Sequence, residues 1–390
     1  MFKQVVNKCR RVPLVAYATG FFVFGVAGTR PLVPLYSIDL GTSVEEVGVL
    51  VATFALIPLS LAMFLGKKMD QTGTRSILLV SVLVTFAGLT LPYVLEGRPG
   101  IYLSQLIAGT GFTTFILAGQ KRMSDSVAVS TRERNIAILS LSVALGAMLG
   151  PLAAGVIGDA TSNKAAFAIL ALFILPSACF LLPLAPDRPI GTGAPSRGFS
   201  NPLKVFGYNR FMARAFLISS LILLGRDMYV AYFPLYAHNV GISASIIGVI
   251  IGIHNGGGVI SRYFALKLVR AYGKSRVVVT SILLSGLAFL MIPLTGNVLL
   301  LTLMSLAIGM GLGIGQPLSI STTVTLSPAA KVGEVLGFRL TCNRLTQVVT
   351  PLSFGVIATF TGVMGIFWVI GGILIVGCTR VSIPNEDLSP

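Results

Sequence analysis

The chain is predicted to be an all-α integral membrane protein, with twelve transmembrane helices forming two six-helix bundles related by a parallel pseudo-two-fold repeat. Three observations predict this. Of its 390 residues 54% are apolar and only 11% charged, where a soluble domain carries about 25% charged residues. Apolar runs of the length that crosses a bilayer, about 20 residues, recur from one end to the other. The two halves of the chain also repeat each other. Together these exclude a soluble enzyme, a disulfide-stapled secreted domain and a disordered regulator.

Taken in order, the runs fall at 13–36, 45–65, 76–95, 100–119, 135–158 and 165–184, then at 213–237, 242–265, 276–295, 298–318, 333–358 and 363–380. Gly, Pro and charged clusters separate them. The first run is too long for a signal-peptide core and reads as a retained helix. The net charge is +16, which in a soluble protein would point to nucleic acid. Here the positions of the cations give another reading. Of the 29 Lys and Arg residues, Arg30, Arg226, Arg339 and Arg344 fall within runs away from their ends, and Arg98 and Lys164 fall on one side. All the others gather on the opposite side, which basic loops mark as cytoplasmic. Both termini are therefore expected in the cytoplasm and the chain in the plasma membrane, with no nucleic-acid partner. Residues 185–212 are rich in Pro, Gly and Ser and suit a flexible linker between an N-terminal bundle, 1–184, and a C-terminal bundle, 213–390.

The repeat appears on a shift of 200 residues. It places Pro34-Leu35-Tyr36 on Pro234-Leu235-Tyr236, Gly41 on Gly241, Gly48 on Gly248 and Gly73 on Gly273. It also matches Gly109 with Gly309, Gly111 with Gly311, Pro151 with Pro351 and Gly155-Val156-Ile157 with Gly355-Val356-Ile357. Pro and Gly carry backbone information that chance matches of Val and Leu do not. Six runs per half is an even number, so both halves enter from one side, an arrangement suited to a central pathway between bundles.

The loop after the second run reads GKKMDQTGTR, with a skeleton of Gly66, Asp70, Gly73 and Arg75. Its glycines permit a tight turn, and its charges can bond to neighbouring helix ends. This resembles the signature loop between the second and third helices of the major facilitator superfamily. Gln71 and Thr74 depart from that pattern, and the second copy, LKLVRAYGKSR, keeps Gly273 with Arg270 in place of the Asp. The fifth run contains Gly146, Gly150, Pro151 and Gly155, small residues that allow close helix packing and a proline that bends the helix. It is similar to the helix 5 motif of the proton-antiporting drug exporters in that superfamily; ordinary small-residue packing is the other reading. In the fourth run, Gln105 stands before Gly109 where those exporters usually carry an Arg.

Ionisable groups inside spans are costly, about 2.5–3.5 kcal/mol for Asp or Arg at a helix centre, and are functional candidates for that reason. Asp227 is the acidic residue deep in a run, and Arg30, through the repeat, lies one turn from its equivalent position. A pair between them would set burial, which favours the neutral acid, against a guanidinium, which favours the carboxylate. Asp227 is therefore a candidate proton-coupling group or one half of a permanent salt bridge. Arg226 points about 100° away on a helix. In the eleventh run Arg339, Asn343, Thr346, Gln347 and Thr350 share one face, with Arg344 beside it. That stripe is expected to line a cavity or to make interhelical hydrogen bonds. His254 and Asn255 lie mid-run beside three glycines; the histidine reads as a packed core residue or a second coupling group. Gln316 adds a further polar candidate.

These features predict a secondary transporter working by alternating access, with proton-coupled export of drugs or small amphipathic compounds implied by the resemblance. No enzymatic, metal or cofactor site is expected, and the partners are a small-molecule substrate, protons and the lipid bilayer around a monomer. Two alternatives stand beside it. Four intraspan arginines against one Asp would suit uptake or exchange of an anionic metabolite. A non-transporting permease-like membrane partner would share the same architecture.

Overall fold

Within hydrocarbon every backbone N–H and C=O must be bonded inside the chain, so runs of this composition coil into helices. The computed structural model describes residues 2–124, 129–185, 211–327 and 332–382, together with 206 and 209. The helices are α1 (Phe2–Asp39), α2 (Val44–Thr72), α3 (Thr74–Val94), α4 (Arg98–Ser124), α5 (Val129–Ala160), α6 (Asn163–Leu172) and α7 (Pro176–Leu181). They continue as α8 (Met212–Asn239), α9 (Ala244–Tyr272), α10 (Lys274–Met291), α11 (Val298–Thr325) and α12 (Val332–Arg380). Among the described residues there is no strand, and 10 helical stretches are long and apolar enough to cross a membrane. Most of the predicted 185–212 linker lies outside the described residues.

The runs at 333–358 and 363–380 are two helices that meet at a kink within α12, at Gly362, whose φ of 65° and ψ of −176° suit a residue without a Cβ. One predicted run comes out differently, for a local reason. The run at 165–184 divides into α6 and α7. Pro176 has no N–H to continue the helix, and the chain tightens before it through Ile174 N–H to Ala171 O at 3.0 Å and Leu175 N–H to Leu172 O at 3.1 Å. Side-chain caps mark two helix starts. Ser162 Oγ accepts from Ala165 N at 3.2 Å, and Asn297 Oδ1 accepts from Leu299 N at 2.9 Å and Leu300 N at 3.2 Å.

The chain divides into two compact units. One comprises Met1–Thr42, Thr53–Ala194 and Ser243–Gly252; the other comprises Ser43–Ala52, Pro195–Ile242 and Ile253–Pro390. Each is therefore discontinuous in sequence, and glycine contacts explain why. In the second unit Gly48, near the start of α2, abuts the Pro351 carbonyl oxygen so closely that a Cβ would collide with it. In the first unit Gly248, near the start of α9, meets the Pro151 carbonyl oxygen in the same way.

Within the first unit α1 lies along α5 and α3 along α4. Its core includes Phe22, stacked on Phe115 with ring centroids 3.8 Å apart. Within the second unit α8 lies along α12, and α10 packs on α11 and α12. Tyr236, Phe289 and Phe367 fill its core, Tyr236 and Phe367 meeting edge-on at 5.5 Å. Val80, Leu83, Val94 and Val156 in the first unit, and Leu266, Phe360 and Val376 in the second, are all more than half exposed. Apolar surface on that scale is an outer face made for lipid.

Candidate functional site

The second unit holds the densest polar cluster in its spans, and α8 and α12 supply most of it. Asp227 on α8 accepts a hydrogen bond at Oδ2 from Gln347 Nε2 of α12 at 3.0 Å. Gln347 Oε1 in turn accepts from Arg344 Nη1 at 2.8 Å. A guanidinium only donates and a carboxylate only accepts, so the amide orientation of Gln347 is fixed from both ends. The result is a carboxylate and a guanidinium joined through one neutral side chain. Thr346, on the same helix face, bonds back to Cys342 O at 3.0 Å and reaches Ser220 Oγ at 3.4 Å.

Arg226, next to Asp227 in sequence, points elsewhere. With Arg339, Asn343, Gln316 and Ser219 it lines a small cavity of ≈ 10 Å³, room for about one water. Ser219 Oγ donates to Asn343 Oδ1 at 2.8 Å. Arg339 is 6% exposed and reaches Ser319 Oγ at 3.4 Å, while its Nε–H has no partner. Arg262 of α9 donates to Gly313 O at 3.2 Å and to Gln316 Oε1 at 3.3 Å. Sequence reasoning missed Ser219 and Arg262. Ser219 stands seven residues before Arg226, two helical turns along one face, and that spacing could have flagged it. Arg262 was counted among the cations that set topology, which hid its place beside Gln316.

His254 is enclosed in this unit, 3% exposed. Its ring stacks on Tyr229 at 4.2 Å, and its Nδ1 lies 3.1 Å from the Ser305 carbonyl oxygen. That carbonyl can only accept, so Nδ1 carries the proton in this contact. Tyr229 in turn donates to Ser305 Oγ at 2.6 Å. Asn255 follows on α9, half-buried.

The other sequence candidates lie in the first unit. The Arg30 guanidinium sits 3.7 Å from the centroid of the Phe54 ring, a cation–π distance; Asp227 and its Gln347 partner belong to the second unit. Gln105 is buried at 2% exposure. Gly146 and Gly150 place α5 directly on α1: a Cβ at Gly146 would lie 2.8 Å from Gly20 O, and one at Gly150 would collide with Phe24 O. Gly155 meets the Ala244 carbonyl oxygen with no room for a side chain, and Pro151 presents its carbonyl to Gly248. In the loop motif Gly73 opens α3 with φ 76°. Arg75 Nη2 donates to Leu182 O at 2.6 Å, and Arg122 Nη2 of α4 donates to Ala185 O at 2.8 Å. Two cations thus satisfy carbonyls left free beyond the end of α7. Gly66 and Asp70 fall within α2; their side chains lie outside the described residues.

Known proteins resemble this chain. The model of the Major Facilitator Superfamily matches residues 15–269 and 215–387. The chain belongs to that family. It is accordingly a multi-pass membrane transporter of small molecules, not an enzyme. It is 26% identical over 348 residues to the tetracycline resistance protein, class H, of Pasteurella multocida, covering 84% of this chain and 83% of that one. It is 23% identical over 295 residues to multidrug resistance protein 1 of Bacillus subtilis (strain 168), covering 72% of this chain and 74% of that one. Among solved structures, nucleoside transporter NupG matches with a TM-score of 0.78 at 14% identity, over 95% of this chain and 98% of that one. Peptide transporter POT in complex with sulfate gives 0.77 at 16%, over 95% and 93%. At such identities the likeness is one of fold alone.

Proposed function

We propose that this member of the superfamily is a secondary active transporter that exports drug-like or other small amphipathic compounds in exchange for protons, by alternating access. Segments 1–184 and 213–390 act as its two bundles, joined by 185–212, and it works as a monomer in the plasma membrane with both termini cytoplasmic. The observation that carries this reading is the Asp227–Gln347–Arg344 chain. An acid in a membrane span is retained at a cost, and here a single hydrogen bond from a neutral amide holds it. A proton arriving at Asp227 cancels its attraction to Arg344 without breaking a direct ion pair, so the group can load and unload with little rearrangement. Export of drug-like compounds is supported by the relatives named for tetracycline and multidrug resistance and by the glycine stripe of α5.

The test is reconstitution of the purified protein into vesicles with an imposed pH gradient, following ethidium or tetracycline flux together with lumenal pH. The wild type is expected to move solute against its gradient with counterflow of protons. Asp227→Asn is expected to lose gradient-driven flux while keeping downhill exchange. Full gradient-driven transport by Asp227→Asn would remove Asp227 from the coupling mechanism.

A further inference from the structure

The cavity between α8, α11 and α12 is distinguished by what its polar groups have left to offer. Gln316 spends its carbonyl oxygen on Arg262, a contact that fixes the amide because a guanidinium cannot accept. Asn343 spends its carbonyl oxygen on Ser219. Each amide therefore turns its NH2 group, two donors, to other partners. Arg339 adds an Nε–H that is buried without an acceptor. Arg226 lines the same space, and among the described residues it makes no hydrogen bond or ion pair. Apart from the Ser219 hydroxyl, whose oxygen can still accept, the unspent polar groups around this cavity are donors, and two of them are cationic.

Neighbouring charges leave that excess standing. Arg226 is repelled by Arg262 rather than balanced by it. Among the described side chains of α8 to α12, Asp227 is the one carboxylate, and its bonded oxygen faces Gln347, which links it to Arg344. A buried donor without an acceptor is destabilising, and so is uncompensated like charge in a span. A structure that keeps both at one place is complementary to a ligand that brings only acceptors.

We infer that Arg226, Arg339, Gln316 and Asn343 form an oxyanion subsite, which takes a carboxylate, sulfonate or phosphate group carried by the transported solute. The inference rests on the transport reading above and narrows its substrate class to acidic amphipathic compounds. The aliphatic walls from Ile222 and Leu223 receive the apolar part next to the charged group. Arg339 and Arg226 pair with the oxyanion, and the two amides complete its hydrogen bonds. The cavity admits about one water, so the subsite takes the solute only when α8 and α12 move apart.

Binding can be read on the full chain, purified in detergent, from the shift of its unfolding temperature with 2-naphthoate and with the neutral isostere 2-naphthamide. The naphthoate is expected to raise the unfolding temperature and the naphthamide to leave it unchanged. Arg339→Gln and Arg226→Gln are each expected to weaken naphthoate binding about 10-fold or more, the loss of a charge-assisted hydrogen bond. Arg226→Lys, which keeps the charge and guards against a merely unfolded variant, is expected to retain part of it. Equal response to the two probes, or undiminished naphthoate binding in both Gln variants, would overturn the subsite. Ethidium flux in vesicles separates this from the broader reading. A wild type that exports ethidium and ignores naphthoate keeps the transport function and loses the subsite; one that binds naphthoate and moves no solute does the reverse.

Discussion

Position 54 in the first unit and position 254 in the second occupy the same place in the 200-residue repeat, yet they carry different chemistry. A Cβ at Gly109 would collide with the Phe54 carbonyl oxygen, and one at Gly309 with the His254 carbonyl oxygen. The neighbouring glycines match as well: Gly111 faces the Thr85 hydroxyl and Gly311 the Ser285 hydroxyl. The side chains then part company. Phe54 offers its ring face to the Arg30 guanidinium at 3.7 Å, whereas the His254 ring stacks on Tyr229 and points its Nδ1 at Ser305 O. Backbone approach has been kept in both units while side-chain chemistry has diverged. The same backbone contact thus carries different side-chain chemistry in the two units.

The most direct way to break this comparison is to fill the glycine contacts. Gly109→Val and Gly309→Val each force a side chain into a backbone carbonyl that cannot retreat without moving a whole helix. Overpacking alone costs about 1–3 kcal/mol, and a backbone collision exceeds that range. Both variants are expected to lose the monodisperse peak of the wild type in detergent size exclusion, and to lose it equally. Normal folding of one beside collapse of the other would show that the two contacts are not equivalent.

Much of this frame was legible before any coordinates. Pro and Gly at a fixed offset survive because the backbone needs them, so the repeat announced Gly109, Gly309, Gly48 and Gly248 by spacing alone. The polar residues were legible one at a time: Asp227, Gln347 and Arg344 each stood out in an apolar run. Their linkage was not, because residues 120 apart in sequence meet only through helix packing. Arg30 shows the limit most clearly, because the aromatic face of Phe54 that it lies over carries no signal in a sequence rich in Phe. Arg262 was hidden for the opposite reason, since near the end of a run a cation reads first as a topology signal.

The divergent positions give the next largest effect. Arg30→Leu removes a cation from an aromatic face, worth about 0.5–2 kcal/mol depending on desolvation, and Phe54→Leu is expected to cost a similar amount because it leaves the same charge unstacked. Made together, the two should cost less than their sum, since they disrupt one contact. His254→Phe, which gives the second unit the residue of the first, keeps an aromatic ring against Tyr229 and loses the bond to Ser305 O, about 1 kcal/mol. Thermal unfolding in detergent measures all of these. His254→Phe is expected to leave pH-driven flux intact, and loss of proton coupling in that variant would make the histidine a coupling group.

The smallest expected effect comes from an ion pair that one unit has and the other lacks. Lys164, at the start of α6, donates to Glu96 in the turn between α3 and α4; the equivalent positions in the second unit are Met364 and Gly296. The second unit ties that corner with Tyr236 Oη donating to Thr295 O at 2.8 Å, where the corresponding bond from Tyr36 to Pro92 O is stretched to 3.5 Å. The Lys164 ammonium holds the Glu96 carboxyl below its ordinary range. A depressed carboxylate contributes stability above its unfolded pKa and loses it as pH falls through its folded one. Glu96→Gln should therefore differ slightly from the wild type in unfolding temperature at neutral pH and converge with it in acid. Both partners reach solvent, so added salt should shrink even that difference. A large, salt-insensitive loss in Glu96→Gln would mean that this corner depends on the pair, and that the first unit has replaced the tyrosine tie of the second rather than supplementing it.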